Sequence, residues 1–244
     1  MRLNKIVFHR PETLIEMLRA VFRHDFEEVV NFDPELGHRV GLSSSRFKIL
    51  KEDFVLRGIM TYELLHYTLL HFHLSSDALD TFISLMLKFD LCYEVTQTSD
   101  PSLVGSAHIL QFPWFFPEDS PSTLTVTWPQ ELPNNMFELR FEVEFPRKGP
   151  PYFFEKLSVR LQQYVSEREN WKHGVLARLN HSHLLVSRQR HDSEEVTVIT
   201  AAARGASDLQ VNCVDESSHN CLIVCVGRYA CMIDVSVLSS DFIF

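Results

Sequence analysis

The sequence has no excess of basic residues. Lysine and arginine number 23 against 32 aspartate and glutamate residues, so the formal net charge is −9 at pH 7. Because binding to nucleic acid needs a basic surface that neutralises phosphates, this balance argues against nucleic acid as the main partner. No basic amphipathic segment suited to a membrane surface is present either.

A long apolar run is also missing. A membrane-spanning helix needs about twenty consecutive apolar residues, and the nearest approach, CLIVCVGRYACMIDVSVL, is interrupted by Arg228 and Asp234. The first residues, MRLNKIVFHRPETL, contain no hydrophobic segment of a signal peptide. Five cysteines, an odd number, do not form a disulfide framework. We therefore expect a cytoplasmic protein without a transmembrane segment.

Sequence motifs of nucleotide-binding and hydrolytic enzymes are absent. There is no G-x-x-x-x-G-K-S/T loop that would hold nucleotide phosphates, and no serine lies in a G-x-S-x-G setting. We predict that the chain holds no catalytic residues and needs no cofactor, so it is not expected to be an enzyme by itself.

Histidines and cysteines are the candidate metal ligands. Two pairs, His71 with His73 and His181 with His183, have the i, i+2 spacing that shares one face of a strand and can chelate zinc. The spacing of a further group matches no familiar zinc pattern: Cys213, His219, Cys221, Cys225 and Cys231. We predict that no metal is bound, and a metal-dependent enzyme using the histidine pairs stays the alternative.

Helical periodicity dominates the first hundred residues. Apolar residues at helical spacing predict helices over 11–24, over 58–70 and from a cap at Asp77 to Phe89. The turn-rich stretch NFDPELGHRVGLSSS predicts a loop, and LCYEV predicts a short strand after the third helix.

Strand patterns dominate after TQTSDPS, a polar stretch that we interpret as a linker. In MFELRFEVEFP, apolar and charged residues alternate, which predicts an antiparallel strand with one buried and one solvated face. The segment that begins near Tyr152 has a helical apolar face and is expected to cover that sheet, making an α+β fold. We predict a helical domain over 1–98, a linker over 99–105, an α+β domain over 106–210 and a divergent tail over 211–244.

Several phrases occur in an order that resembles the COR region of Roco proteins, which follows their Ras-like Roc GTPase. The phrases lie at Pro11 and Leu14, Gly58 and Ile59, Lys88 to Tyr93, Phe153 to Leu161, and Trp171 to Gly174. The resemblance implies a winged-helix-like first half (COR-A), truncated at its N-terminal side, and an α+β second half (COR-B). It also implies coupling to an upstream Roc-type GTPase and, in many members, dimerisation. Beyond Gln210 the sequence departs from the family, since no helical period is found there.

These observations lead us to expect a non-catalytic regulatory and interaction module of a GTP-binding signalling protein. Its expected partners are the upstream GTPase, a second copy in a homodimer, and other signalling proteins. A passive scaffold that acts independently of the GTPase is the alternative. Because interfaces are enriched in aromatic residues and arginine, the candidate interaction residues are Phe153, Phe154, Arg160, Tyr164 and Trp171.

Overall fold

The computed structural model describes residues 11–95, 103, 108–145, 152–162, 165, 167–179, 182–191, 196–205, 221–226 and 229–234. The chain divides into two units, Met1–Phe116 and Pro117–Phe244. The first unit is mainly helical and the second is built on an antiparallel sheet. The predicted α+β fold class is therefore confirmed.

The first unit contains six helices and three short strands among the described residues. In chain order these are α1 Pro11–Val21, α2 Phe26–Val29, α3 Pro34–Val40, α4 Ser44–Arg57, β1 Ile59–Thr61, α5 Tyr62–Leu69, α6 Ser76–Lys88, β2 Tyr93–Glu94 and β3 Ile109–Gln111. Two 3₁₀ turns follow α5 and β3, at Leu70–Phe72 and Pro113–Phe115.

From α4 to β3 the elements have the arrangement of a winged helix. The order is helix, strand, two helices and two strands, and the three strands pair antiparallel in the order β1, β3, β2. One core holds the unit together, with Phe54, Met60, Leu64, Met86 and Leu110 completely buried. This architecture agrees with the predicted winged-helix-like first half.

The loop predicted for Asn31–Ser45 is wrong, because this stretch contains α3 and the start of α4. The Asp33 side chain accepts hydrogen bonds from the backbone N–H groups of Glu35 and Leu36, and proline occupies the first turn of α3. Gly41 ends the helix in the left-handed conformation, with φ of 70°. The residues that suggested a loop are the caps of a helix.

The helix predicted over 58–70 is also wrong at its start, since α5 begins only at Tyr62. Gly58 ends α4 with φ of 69°, and Ile59–Thr61 forms a strand. A Cβ atom at position 58 would lie 2.5 Å from the carbonyl oxygen of Phe112. Both the left-handed backbone and this close approach require glycine here.

The other helix predictions of the first unit differ only at their ends. α1 ends at Val21 rather than at His24. α6 buries the predicted stripe, but it is capped by Ser75, which accepts from the N–H of Ala78, rather than by Asp77. Phe89, the last residue of the predicted stripe, lies beyond the helix and is 56% exposed.

The division between the units differs from the predicted domain bounds. The predicted second domain includes residues 106–116, whereas β3 pairs with two strands of the first unit. The predicted linker over 99–105 lies outside the described residues except for Leu103, which is buried.

The second unit contains one five-stranded antiparallel sheet, two helices and a hairpin among the described residues. In chain order these are α7 Leu124–Thr127, β4 Phe137–Phe145, α8 Phe153–Leu161, β5 Glu167–Trp171, β6 Gly174–Leu179, β7 Ser182–His191, β8 Val196–Gly205, β9 Cys221–Val226 and β10 Tyr229–Asp234. The strand order of the sheet is β4, β8, β7, β6, β5.

Within the predicted tail, 211–244, β9 and β10 pair with each other as an antiparallel hairpin. No described helix of either unit is long and apolar enough to cross a membrane.

Candidate functional site

Helix α8 packs on one face of the sheet, as its apolar stripe predicts. Phe153, Phe154, Leu157 and Leu161 are at most 7% exposed and contact buried side chains of β6, β7 and β8. On the edge strand, the ring of Phe145 meets that of Phe153 edge-on at 5.0 Å between centroids. At about 1.5–3 kcal/mol per buried large apolar side chain, these four residues hold the helix firmly on the sheet.

Arg188 on β7 ties the first turn of α8 to the β5–β6 turn. Its guanidinium lies 5.1 Å from the centroid of the Phe154 ring and 3.2 Å from Glu155 Oε1. It also donates to the backbone oxygen of Lys172 at 3.0 Å, while its own backbone N–H donates to the oxygen of His173. The start of the helix and the turn are thus fixed by one side chain.

Sequence reasoning missed Arg188, although a signal was present. On β7 the residues facing α8 are Leu184 and Val186, and Arg188 continues the same alternation. A charged residue in the apolar phase of a strand indicates a buried or half-buried partner, here the carboxylate of Glu155.

The phrase Trp171 to Gly174 closes a tight hairpin between β5 and β6. Trp171 and Gly174 are directly opposite each other in the register, with Lys172 and His173 between them. The indole of Trp171 is 6% exposed and covers the glycine, since a Cβ at position 174 would lie 1.9 Å from the Trp171 ring. The Trp171 ring can pack in this position only because residue 174 has no side chain.

The opposite face of the sheet carries a row of charged residues that crosses all five strands. The registers place these residues side by side: Glu138, Arg204, His183, Arg178 and Glu167. Arg204 is only 7% exposed; it donates to Glu138 Oε2 at 2.6 Å and to the backbone oxygen of Pro129. Its guanidinium also lies 4.3 Å from the centroid of the Trp128 ring, a cation–π geometry.

This face is less solvated than the alternation predicted. Leu176, Thr200 and Ala202 are buried there, at 4%, 7% and 2% exposure. The chain around Trp128 contacts Arg204, and the Thr123 hydroxyl donates to a carboxylate oxygen of Glu169. The expected solvent-exposed face is present at the charged residues of β4, but the centre of the sheet is buried on this face as well.

His183 lies in the middle of the charged row, directly opposite Arg178 and Arg204 on the adjacent strands. It borders an open groove of about 300 Å³ that is also lined by Thr127, Glu167 and Glu169. Burial, together with the positive charge of Arg178, lowers the pKa of His183 below its ordinary value of 6.5. The neutral imidazole is therefore the form that the fold favours.

We expect the stability of the second unit to fall in acid partly through His183. Its pKa is lower in the folded state, so its contribution is present above pH 6.5 and is lost as the pH falls through the folded pKa. The His183→Asn variant should lose less stability than the parent between pH 7 and pH 5. Urea unfolding at both pH values measures this difference, and equal losses would contradict the assignment.

The candidate interaction residues fall into three groups. Phe153, Phe154 and Trp171 are buried, at 7%, 3% and 6% exposure, so they build the core of the unit. Arg160 is half-buried on the outer side of α8. Tyr164 lies outside the described residues. The outer surface of α8 is formed by the exposed Tyr152 and the half-buried Lys156 and Arg160.

The candidate metal ligands are not brought together in the part of the chain that the structure describes. His71 and His73 are exposed and follow α5, with His73 in a left-handed conformation. No group of three or more histidine, cysteine, aspartate or glutamate side chains suited to a metal ion occurs among these residues. His181, Cys213 and His219 lie outside them, and only the backbone is described for Cys221, Cys225 and Cys231.

Related sequences occur in two much longer vertebrate proteins, both named malignant fibrous histiocytoma-amplified sequence 1 homolog. The Xenopus tropicalis protein is 24% identical over 179 residues, which are 72% of this chain and 18% of that protein. The Mus musculus protein is 26% identical over 129 residues, which are 52% of this chain and 12% of that protein. No protein-family model matches the chain. The chain is a distant relative of this vertebrate type and spans less than a fifth of its length.

Proposed function

We propose that this chain is a non-catalytic regulatory and interaction module of a Roco-type GTP-binding signalling protein. Two observations support this proposal. The phrases that resemble a COR region occur in the family's order along the chain. The similarity to the frog and mouse proteins covers most or half of this chain but only a small fraction of each relative, as expected for one module of a longer protein.

The packing of α8 is the observation that carries the proposal. The residues of the phrase Phe153–Leu161 that face the sheet are buried, and Trp171 and Gly174 close the hairpin beside it. These residue types are used to build a rigid helix-on-sheet body rather than a reaction centre. The half-buried Lys156 and Arg160 on the outer side of α8 are the residues of this body that we assign to partner contacts.

A protein partner fits the first unit better than nucleic acid does. In winged-helix proteins that bind DNA, the helix in the position of α6 enters the major groove. The exposed residues of α6 include Asp77 and Asp80 as well as Lys88. Two carboxylates on this surface would repel phosphates, so we assign the unit to protein contacts, with the upstream GTPase as its first partner.

GTP turnover tests the regulatory part of the proposal. In the protein that joins this chain to a GTP-binding domain, Arg188→Ala should loosen α8 and change the GTP hydrolysis rate or nucleotide affinity about fivefold or more, a typical size for coupling between sites. Arg39→Ala, a change at an exposed residue of α3, serves as the control.

Unchanged turnover and unchanged nucleotide affinity in the Arg188→Ala protein would favour the passive scaffold instead. Metal analysis of the purified chain distinguishes the regulatory module and the passive scaffold from the metal-dependent enzyme. One zinc ion per chain would favour the enzyme.

A further inference from the structure

Strand β4 forms an open edge of the five-stranded sheet. Its nine residues pair with β8 on one side, from Phe137 opposite Gly205 to Phe145 opposite Thr197, without interruption. No described strand pairs with its other side. The backbone N–H and C=O groups on that side are a template for another strand.

Several features that protect the edge strands of other sheets are absent from β4. It contains no proline, its register shows no bulge, and at nine residues it is longer than β5 and β6. Its charged residues alternate with apolar ones on the face away from α8, where Arg140 and Glu142 are 60% and 56% exposed. Such charges oppose nonspecific pairing, so the edge suits only a strand with complementary charges. At its first residue, Phe137 is 60% exposed. Such an edge favours pairing with a further strand.

We propose that β4 pairs antiparallel with β4 of a second copy of this chain, joining the two sheets across a twofold axis at Phe141. This inference rests on the proposed function, in which self-association is one role, and it names the surface involved. The sequence FELRFEVEF carries the argument because its apolar positions read the same in both directions around Phe141. A second copy in this register places phenylalanine opposite phenylalanine at both ends and Leu139 opposite Val143.

The charges select the same register. With the axis at Phe141, Arg140 of each copy lies opposite Glu142 of the other, so two ion pairs form across the junction. The like-charged pair is Glu138 with Glu144, and Glu138 is already neutralised by Arg204 at 2.6 Å. Moving the axis to Arg140 would oppose two arginines, and moving it to Glu142 would oppose two glutamates. A shift that pairs odd with even positions would place phenylalanines opposite charges.

A charge swap on the full chain tests this surface. Arg140→Glu and Glu142→Arg should each weaken self-association roughly tenfold, because two attractive pairs become repulsive in each case. The double variant should recover the parent's association, since each arginine again faces a glutamate. Sedimentation velocity across a micromolar concentration series measures the three variants. Arg39→Glu makes the same charge change on exposed α3 and should leave association unchanged.

A cysteine experiment checks the register independently. Mixing Arg140→Cys chains with Glu142→Cys chains should give disulfide-linked pairs of the two different variants, because directly opposite residues lie within disulfide reach. Chains with only their native cysteines are the control.

A strict monomer at tens of micromolar would overturn the proposal, and so would a dimer that does not respond to the charge changes. Protection of the β4 amides from hydrogen exchange in a monomeric chain would show that another part of the same chain covers the edge. None of these outcomes affects the GTP-turnover test. A failure of the β4 pairing can therefore be told apart from a failure of the proposed regulatory function.

Discussion

Replacing Gly174 with valine is expected to lower the free energy of unfolding of the second unit by about 3 kcal/mol or more. A Cβ at this position would lie 1.9 Å from the Trp171 ring, a distance that no van der Waals contact allows. The indole must therefore leave its site on the hairpin, and its buried packing is lost with it. Even Gly174→Ala should have most of this effect, because the first added carbon already makes the clash.

Urea unfolding followed by circular dichroism measures the stability of the Gly174→Val protein, and tryptophan fluorescence reports the exposed indole as a red shift. His173→Ala in the exposed turn of the same hairpin is the matched control and should stay within about 0.5 kcal/mol of the parent. Parent-like stability of Gly174→Val would show that Trp171 does not lie on this glycine.

Removing the Arg204 side chain is expected to cost about 3 kcal/mol. Arg204→Ala leaves Glu138 without its close partner, leaves the oxygen of Pro129 without this donor, and removes the cation–π contact with Trp128. The Glu138 carboxylate, only 23% exposed, then keeps only the exposed Arg140 at 3.9 Å, and the penalty of this poorly compensated charge outweighs the loss of the ion pair itself. Chemical denaturation gives the change, and the emission of Trp128 should shift as its environment opens.

Two further variants distinguish the effect of the buried Arg204–Glu138 pair on stability from the effect of removing any surface charge. Arg140→Ala removes an exposed arginine that lies 3.9 Å from the same carboxylate and should cost less than about 1 kcal/mol. The double variant Arg204→Met with Glu138→Leu should recover much of the loss, because no charge is then left unpaired. Equal effects of Arg204→Ala and Arg140→Ala would contradict the buried arrangement.

Periodicity located the main elements because it follows directly from packing on one face. The alternation in β4 and the helical stripe of α8 each predicted an element that the structure contains. The same reasoning failed at α3, where Asp33, Pro34 and Gly41 suggested a loop, although Asp33 and Gly41 cap a helix and Pro34 begins it. A short helix contains few apolar repeats. The turn-forming residues at its ends therefore dominate its sequence and make it resemble a loop.

The contacts around the candidate site could not be predicted from periodicity alone. Arg188 and Arg204 both stand in a sequence position that indicates a partner, but the partner follows only from the cross-strand register and from the place of α8. The register pairs residues far apart in sequence, such as Glu138 with Arg204. The cover that Trp128 provides on the second face depends on a segment with little regular structure, and no pattern in the sequence predicts it.

Amide hydrogen exchange across Phe153–Leu161 tests most directly whether α8 is seated on the sheet to make the interaction body. Seated as in this structure, the amides of α8 should be protected to a degree similar to those of β7, and Phe154→Ala should weaken the protection of both elements together. Rapid exchange throughout the helix, alongside a protected β7, would place this segment in solvent and remove the basis of the proposed function.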